Sequence, residues 1–224
     1  MESQLVFLLD VDNTLLANDE VKKELDRRLQ ETIGHDLTIR FWEIYEQVRH
    51  EQGVIDIPLS LTRLREEVPI TQMKEETYRR AHALFDTFPF FEYLYPHVLE
   101  TLQYLRTLGL TVIVSDGDRY FQAEKIVNSH LASAVEGRVL IYTHKQQHWQ
   151  EIRQRYPATH YAMVDDKAQI LADSHVLLGP QLTTVFVRQG KYALEPLPAN
   201  FIPTISVDHI GDLRTYTAQD FLHA

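Results

Sequence analysis

Five apolar residues in a row, Leu5–Leu9, run straight into a carboxylate, Asp10, and a second carboxylate, Asp12, follows two positions later. A short unbroken apolar run reads as a β-strand covered on both faces, since a half-exposed strand would alternate. Side chains alternate along an extended chain, so Asp10 and Asp12 point the same way for as long as the strand continues. If the chain turns there, Asp10 stands at the carboxyl end of a buried strand, where open α/β sheets place their ligands. Two adjacent carboxylates repel, and stripping an ionised one from water costs several kcal/mol. A whole domain has only about 5–15 kcal/mol of net stability. The pair must therefore be solvated, protonated or held by a cation.

Beyond this stretch the pattern changes to helices. After a cap at Asn18 or Asp19, Val21, Leu25, Leu29 and Ile33 recur every four residues up to Gly34. A second helix is expected over Thr38–Gln52, with Phe41, Ile44, Tyr45 and Val48 on its apolar face and Gly53 as its stop. Ile57, Leu61, Leu64 and Val68 predict a third, ended near Pro69, and Thr71–Phe88 a fourth through Met73, Thr77, Ala81, Leu84 and Phe88. Four amphipathic helices in succession suggest a small helical bundle spanning residues 16–92. The aromatic-rich stretch Phe88–Tyr95 is read as packing at a domain junction.

From Pro96 onward strands and helices alternate. A helix through Leu99, Leu102, Leu105 and Leu108 stops at Gly109. It is followed by strand Thr111–Val114, helix Arg119–Leu131, strand Val139–Tyr142 and a helix over Lys145–Arg155. Strand Tyr161–Val164, helix Lys167–Asp173 and strand Thr183–Val187 complete the series, and the tail Glu195–Ala224 gives only weak signals. Such alternation specifies an α/β protein with a doubly wound parallel sheet. The expected division is a core of residues 1–15 and 93–224, with residues 16–92 as a helical insertion after the first strand.

Length and composition narrow the classes. At 224 residues the chain accommodates one large domain or a domain plus a smaller one. A balance of 32 acidic against 22 basic residues, −10 net, argues against nucleic acid as a partner. No apolar run reaches the roughly 20 residues of a membrane span. Asp10 interrupts the first apolar run, so a signal peptide is not expected. The absence of cysteine removes disulfide and thiolate chemistry and suits the cytoplasm. Glycine-rich loops of the Walker or dinucleotide kind are missing.

Three further stretches carry chemistry. Strand Thr111–Val114 ends in Ser115-Asp116-Gly117-Asp118, where a hydroxyl and backbone N–H groups at a strand-to-helix turn make an anion site. Lys145 follows the next strand at a helix start, where the helix dipole offers a cation nothing. Lys125, within a helix, is the rival lysine. Strand Tyr161–Val164 ends in Asp165-Asp166, a second acidic pair closing a second buried strand. Hard oxygen ligands of this kind suit Mg²⁺. His144 and His148 have zinc-ligand spacing, but Lys145 occupies the position of the glutamate in a His-Glu-x-x-His arrangement, which disfavours zinc.

Asp10-Val11-Asp12-Asn13-Thr14, then Ser115, Lys145 and Asp165-Asp166 in that order, resemble the four motifs of the haloacid dehalogenase-like superfamily. Two details depart from the common pattern: Asp116 stands where asparagine is commoner, and Gln146 stands where proline often follows the lysine. The resemblance implies a Rossmann-like core with a cap, and a phosphatase acting on a small phosphorylated metabolite. Asp10 is then the nucleophile that forms an aspartyl-phosphate, and Asp12 the general acid and base. It also implies phosphate binding by Ser115, Asp116, Gly117 and Lys145, and Mg²⁺ held by Asp10, Asp12 through its backbone carbonyl, Asp165 and Asp166. A hydrolytic dehalogenase, a phosphomutase or a non-catalytic binding domain are the alternatives on the same fold. Among cap residues, Asp19, Arg40, Trp42, Tyr45 and Arg49 are conceivable substrate contacts, with ordinary packing or solvated roles preferred.

Overall fold

The computed structural model describes residues 3–53, 55–118 and 120–222. Its strands are β1 (Ser3–Leu9), β2 (Leu110–Asp116), β3 (Val139–Tyr142), β4 (Ala158–Asp165), β5 (Leu182–Val187) and β6 (Ile205–Val207). They form one sheet of order β3-β2-β1-β4-β5-β6, and every neighbouring pair is parallel. The strand that opens the chain is thus central. From β1 the chain winds outward through β2 and β3, then returns to the other flank of β1 with β4. That reversal leaves a crevice beyond the carboxyl ends of β1 and β4, the place where such sheets bind ligands.

Burial on both faces explains the uninterrupted apolar run. Leu5, Phe7 and Leu9 face one core with Ile113, Ala162, Val164 and Val185. Val6 and Leu8 face a second core with Val112, Val114, Tyr161 and Met163. The first face is covered by α5 (Val98–Leu108), α6 (Phe121–Asn128), α7 (Leu131–Ala134) and the C-terminal α10 (Ala218–Leu222). The second is covered by α8 (Trp149–Arg155) and α9 (Ala168–Leu178).

Between β1 and α5 stand α1 (Asn18–Ile33), α2 (His35–Gln52), α3 (Ile57–Glu67) and α4 (Glu75–Asp86). α1 packs on α2 and α4, and α3 packs on the same two helices. Their apolar interior runs without a break into the first core through Leu15, Leu16, Phe88 and Phe90. The aromatic stretch is packing material, as expected: the Phe88 ring lies 4.9 Å from Phe90 and 5.1 Å from Tyr93, and Phe90 lies 5.9 Å from Phe121.

Several boundaries differ from the sequence reading, each for a local reason. The fourth helix starts at Glu75 rather than Thr71 because Pro69–Met73 forms a turn, closed by the Met73 N–H donating to the Pro69 carbonyl at 3.2 Å. Met73 and Phe88 are buried beyond the helix ends, so the four-residue stripe reported burial rather than helicity. The expected helix Arg119–Leu131, whose first residue lies outside the described residues, is two helices broken at His130, where φ is 64°. The expected helix Lys145–Arg155 is a 3₁₀ turn, Lys145–Gln147, followed by α8. α9 runs on to Leu178 and leaves Val176 and Leu177 exposed. In the tail, β6 and α10 went unread because a three-residue edge strand and a five-residue helix are too short for any periodicity.

Candidate active site

The chain leaves β1 in a tight loop. The Asp10 N–H still extends the ladder, donating to the Val164 carbonyl at 3.0 Å. The Val11 carbonyl then gathers the N–H groups of Thr14, Leu15 and Leu16 at 2.9–3.2 Å. Asn13 makes the turn at φ 63°, a conformation asparagine tolerates better than most residues. Its Oδ1 accepts the Asp19 N–H at 3.1 Å and so caps the start of α1. This turn separates the paired carboxylates into different surroundings. Asp10 is buried, whereas Asp12 is partly exposed.

Each carboxylate has its own lysine. Lys145, itself buried, places Nζ in contact with Asp10 Oδ1 and 2.7 Å from Asp165 Oδ2. Lys125 donates to both Asp12 oxygens, at 2.7 and 3.0 Å, and to Asn18 Oδ1 at 3.0 Å. The two lysines the sequence offered as rivals therefore serve different acids. Asp165 and Asp166 close β4 and are wholly buried. Asp165 Oδ1 accepts the Lys167 N–H at 2.8 Å, which holds the start of α9 against the site.

Asp10, Asp165 and Asp166 each offer an oxygen within 4.8 Å of the others. Burial raises the Asp10 carboxyl to about 6, with Lys145 opposing and Asp165 adding to the rise. Burial, then the charges of Asp165 and Asp10, raise Asp166 to about 9. Burial alone would lower Lys145, but Asp10, Asp165 and Asp116 outweigh it and hold its ammonium above the usual range. Both oxygens of Asp166 are buried without a hydrogen-bond partner. A buried carboxylate with no partner is costly, and an all-oxygen donor set suits a hard divalent cation. The three acids thus form a group able to hold a metal ion.

The Ser115 loop approaches from β2. Gln122 Nε2 donates to Ser115 Oγ at 2.8 Å and reaches Asp12 Oδ1 at 3.4 Å. Ser115 keeps its own hydroxyl proton to donate. Asp116 Oδ1 accepts the Lys145 backbone N–H at 2.7 Å and so fixes the turn that carries this lysine. The Gly117 N–H is taken by the Tyr142 carbonyl at 2.9 Å, and Asp118 accepts the Tyr120 and Phe121 N–H groups at 2.8 and 3.1 Å. The backbone donors expected to be open to an anion here are mostly engaged, leaving the serine hydroxyl and the lysines. His144 and His148 do not share a helix. His148 stacks on Tyr142 at 4.2 Å, and no zinc-like cluster forms among the described residues.

Gln122, Lys125 and Asn18 are polar contributors that sequence reasoning missed or ranked low. The available signal was Gln122 and Lys125, one turn apart on a helix and both buried beside the apolar Phe121 and Ile126. Of the residues considered as substrate contacts, Trp42 and Tyr45 line an apolar recess against Phe121, and Arg49 and Asp19 line a polar cavity of about 260 Å³ that reaches Asp12 and Asp116. Arg40 instead pairs with Glu43 and Glu67 on the surface.

A doubly wound sheet that gathers acids and lysines at its reversal point defines the class as a Rossmann-like α/β protein with an ionic centre. A family model described as haloacid dehalogenase-like hydrolase matches residues 5–169. A haloacid dehalogenase-like hydrolase from Burkholderia xenovorans LB400 has 40% sequence identity, with 97% of this chain and 98% of that one covered at a TM-score of 0.86. The magnesium-bound HAD-hydrolase YfnB from Bacillus subtilis shares the fold at 15% identity, 100% coverage of both chains and a TM-score of 0.62. An L-2-haloacid dehalogenase does so at 13% identity, covering 95% and 98% of the two chains with a TM-score of 0.63. No curated protein matches this sequence. The chain belongs to the haloacid dehalogenase-like hydrolases, and is therefore an enzyme. No helix among the described residues is long and apolar enough to cross a membrane.

Proposed function

We propose that this enzyme is a Mg²⁺-dependent phosphatase that hydrolyses a small phosphomonoester through an aspartyl-phosphate on Asp10. The observation that carries the reading is the pairing of a buried carboxylate cluster, Asp10, Asp165 and Asp166, with a second acid, Asp12, on the loop that follows Asp10. The cation would be held by Asp10, Asp165 and Asp166, together with the Asp12 backbone carbonyl, and when bound it offsets the repulsion between an anionic nucleophile and an anionic ester.

The remaining work falls to the chain. Lys145, fixed through Asp116, orients the Asp10 carboxylate and meets the phosphoryl oxygens, while the Ser115 hydroxyl donates to them. Asp10 attacks phosphorus in line, and the ester oxygen leaves with a proton from Asp12. Asp12 then takes a proton from the water that releases phosphate and regenerates Asp10. Gln122 and Lys125 position Asp12 between these steps. Residues 16–92 act as a cap that closes over this centre and selects the leaving group.

A solved relative at 13% identity is an L-2-haloacid dehalogenase, and that chemistry is the competing reading. Halide departs as a stable anion and needs neither the acid at Asp12 nor a cation. The test is a phosphoester panel with Mg²⁺ or EDTA, run beside 2-chloropropionate. Hydrolysis that requires Mg²⁺ and disappears in Asp10→Asn supports the phosphatase. Halide release that survives EDTA, or full phosphatase activity in Asp10→Asn, overturns it.

A further inference from the structure

The polar cavity beside Asp12 is lined by four carboxylates and by four cationic side chains, Lys22, Arg49, Lys167 and Lys191, which do not pair one to one. Its four carboxylates are all engaged. Asp12 is paired with Lys125, Asp116 accepts the Lys145 N–H, Asp19 accepts the Lys191 N–H at 3.0 Å, and Glu46 meets Arg49 at 3.3 Å. Lys167 faces the charges of Asp10, Asp165 and Asp166, but the other cations are less well matched. Lys22, on α1, is half-buried and makes no ion pair among the described residues; its Nζ lies 5.5 Å from the centre of the Tyr45 ring. Lys191, on the loop after β5, likewise has only a ring contact, Tyr192 at 5.1 Å. The Arg49–Glu46 pair lies on an exposed helix face, where such pairs contribute little. Burial first, and then the charge of Lys191, push the Lys22 ammonium below its ordinary value, with Lys125 and Arg49 adding to the effect and Asp12 opposing it. Lys22 and Lys191, lining the cavity with no ion pair of their own among the described residues, are open to an incoming anion.

Resting on the phosphatase reading above, we propose that the substrate carries a second anionic group, carboxylate or phosphate, and that Lys22 and Lys191 receive it. One end of the substrate meets Asp10, Lys145 and Ser115, and the other the outer wall of the cavity. At about 260 Å³ the space lies just under the roughly 300–1,000 Å³ of most ligand pockets, so the body joining the two anions is only a few carbons long. The two lysines come from opposite sides of the site, one from the cap helix that follows the Asp10 loop and one from the core. A substrate with an anionic group at each end would thereby bridge cap and core, whereas one with a single anionic group would not.

The experiment compares three esters on the full-length enzyme with Mg²⁺: 3-phosphooxypropionate, propane-1,3-diol bisphosphate and the uncharged-tail control propyl phosphate. Either charged-tail ester is expected to exceed propyl phosphate in kcat/KM by about tenfold or more, the scale of one charged hydrogen bond. Whichever of the two is preferred identifies the second anion as carboxylate or phosphate. In Lys22→Gln and Lys191→Gln the preference should shrink toward unity, chiefly through KM. Lys191 is exposed, so its variant keeps the test valid if Lys22→Gln folds poorly. Propyl phosphate turned over as well as both charged esters, or a folded variant that loses activity equally on all three, overturns the inference. If p-nitrophenyl phosphate is still hydrolysed under those conditions, the phosphatase reading survives alone. Failure to hydrolyse any ester overturns both.

Discussion

Lys145 is the residue on which the buried charges balance. It sits between Asp10 and Asp165 with almost no exposure, so Lys145→Met leaves those two buried acids without the cation they share. Removing one partner of a buried ion pair costs about 3–5 kcal/mol, and urea denaturation in EDTA should show a loss of that size. Mg²⁺ should recover part of it, since a divalent ion neutralises the same oxygens. The acids themselves set a pH dependence. In the unfolded chain Asp10 and Asp166 titrate near 3.8, whereas in the fold they keep their protons to about 6 and about 9. The folded state therefore binds more protons than the unfolded chain in that range. Stability without a divalent ion is fully present below about pH 4 and is lost as pH rises through about 6 and then about 9. Thermal midpoints in EDTA should fall across this interval, and saturating Mg²⁺ should flatten the curve. A midpoint that instead rises with pH in EDTA would contradict the burial of these acids.

At the scale of elements, the loop after β1 depends on a neighbour far along the chain. Gly190 has φ +68°, and a Cβ there would lie 2.4 Å from the Asn13 Cβ. Gly190→Ala should therefore displace Asn13, release its cap on α1 and lower both stability and turnover. Gly137 shares the left-handed geometry at φ +75° with nothing within 4 Å, so Gly137→Ala should cost only the backbone strain, about 1–2 kcal/mol, with kcat retained. The same contrast explains what could be read from the chain beforehand. Asp10, Ser115, Asp165 and Asp166 announced themselves because each ends or follows an apolar run, a local pattern. Lys145 could be placed by its order after β3, but its two partners are 135 and 20 residues away. The pairing of Lys125 with Asp12 spans 113 residues, and Gly190 against Asn13 spans nearly the whole sheet. Contacts of that kind depend on tertiary approach, for which a linear pattern carries no signal. Helix ends erred for the opposite reason: Met73 and Phe88 obey the apolar spacing while lying in turns.

For the whole molecule, cation binding should act as a stabilising ligand. A cation that binds only the folded chain raises stability by about 2.7 kcal/mol at a hundred times its Kd, so the thermal midpoint should climb with Mg²⁺ concentration. Asp166→Asn should weaken that climb, because both of its oxygens otherwise lack partners; an undiminished response would place the ion elsewhere. The central position of β1 has one more consequence. The strand is synthesised well before its pairing partners, which begin at Leu110 and Ala158. A nascent chain thus carries Asp10, the nucleophile of the proposed mechanism, before Lys145, Asp165 and Asp166 exist to surround it. If that mechanism holds, hydrolysis should begin only once the last of those segments has docked, and chains truncated before Asp165 should be inactive.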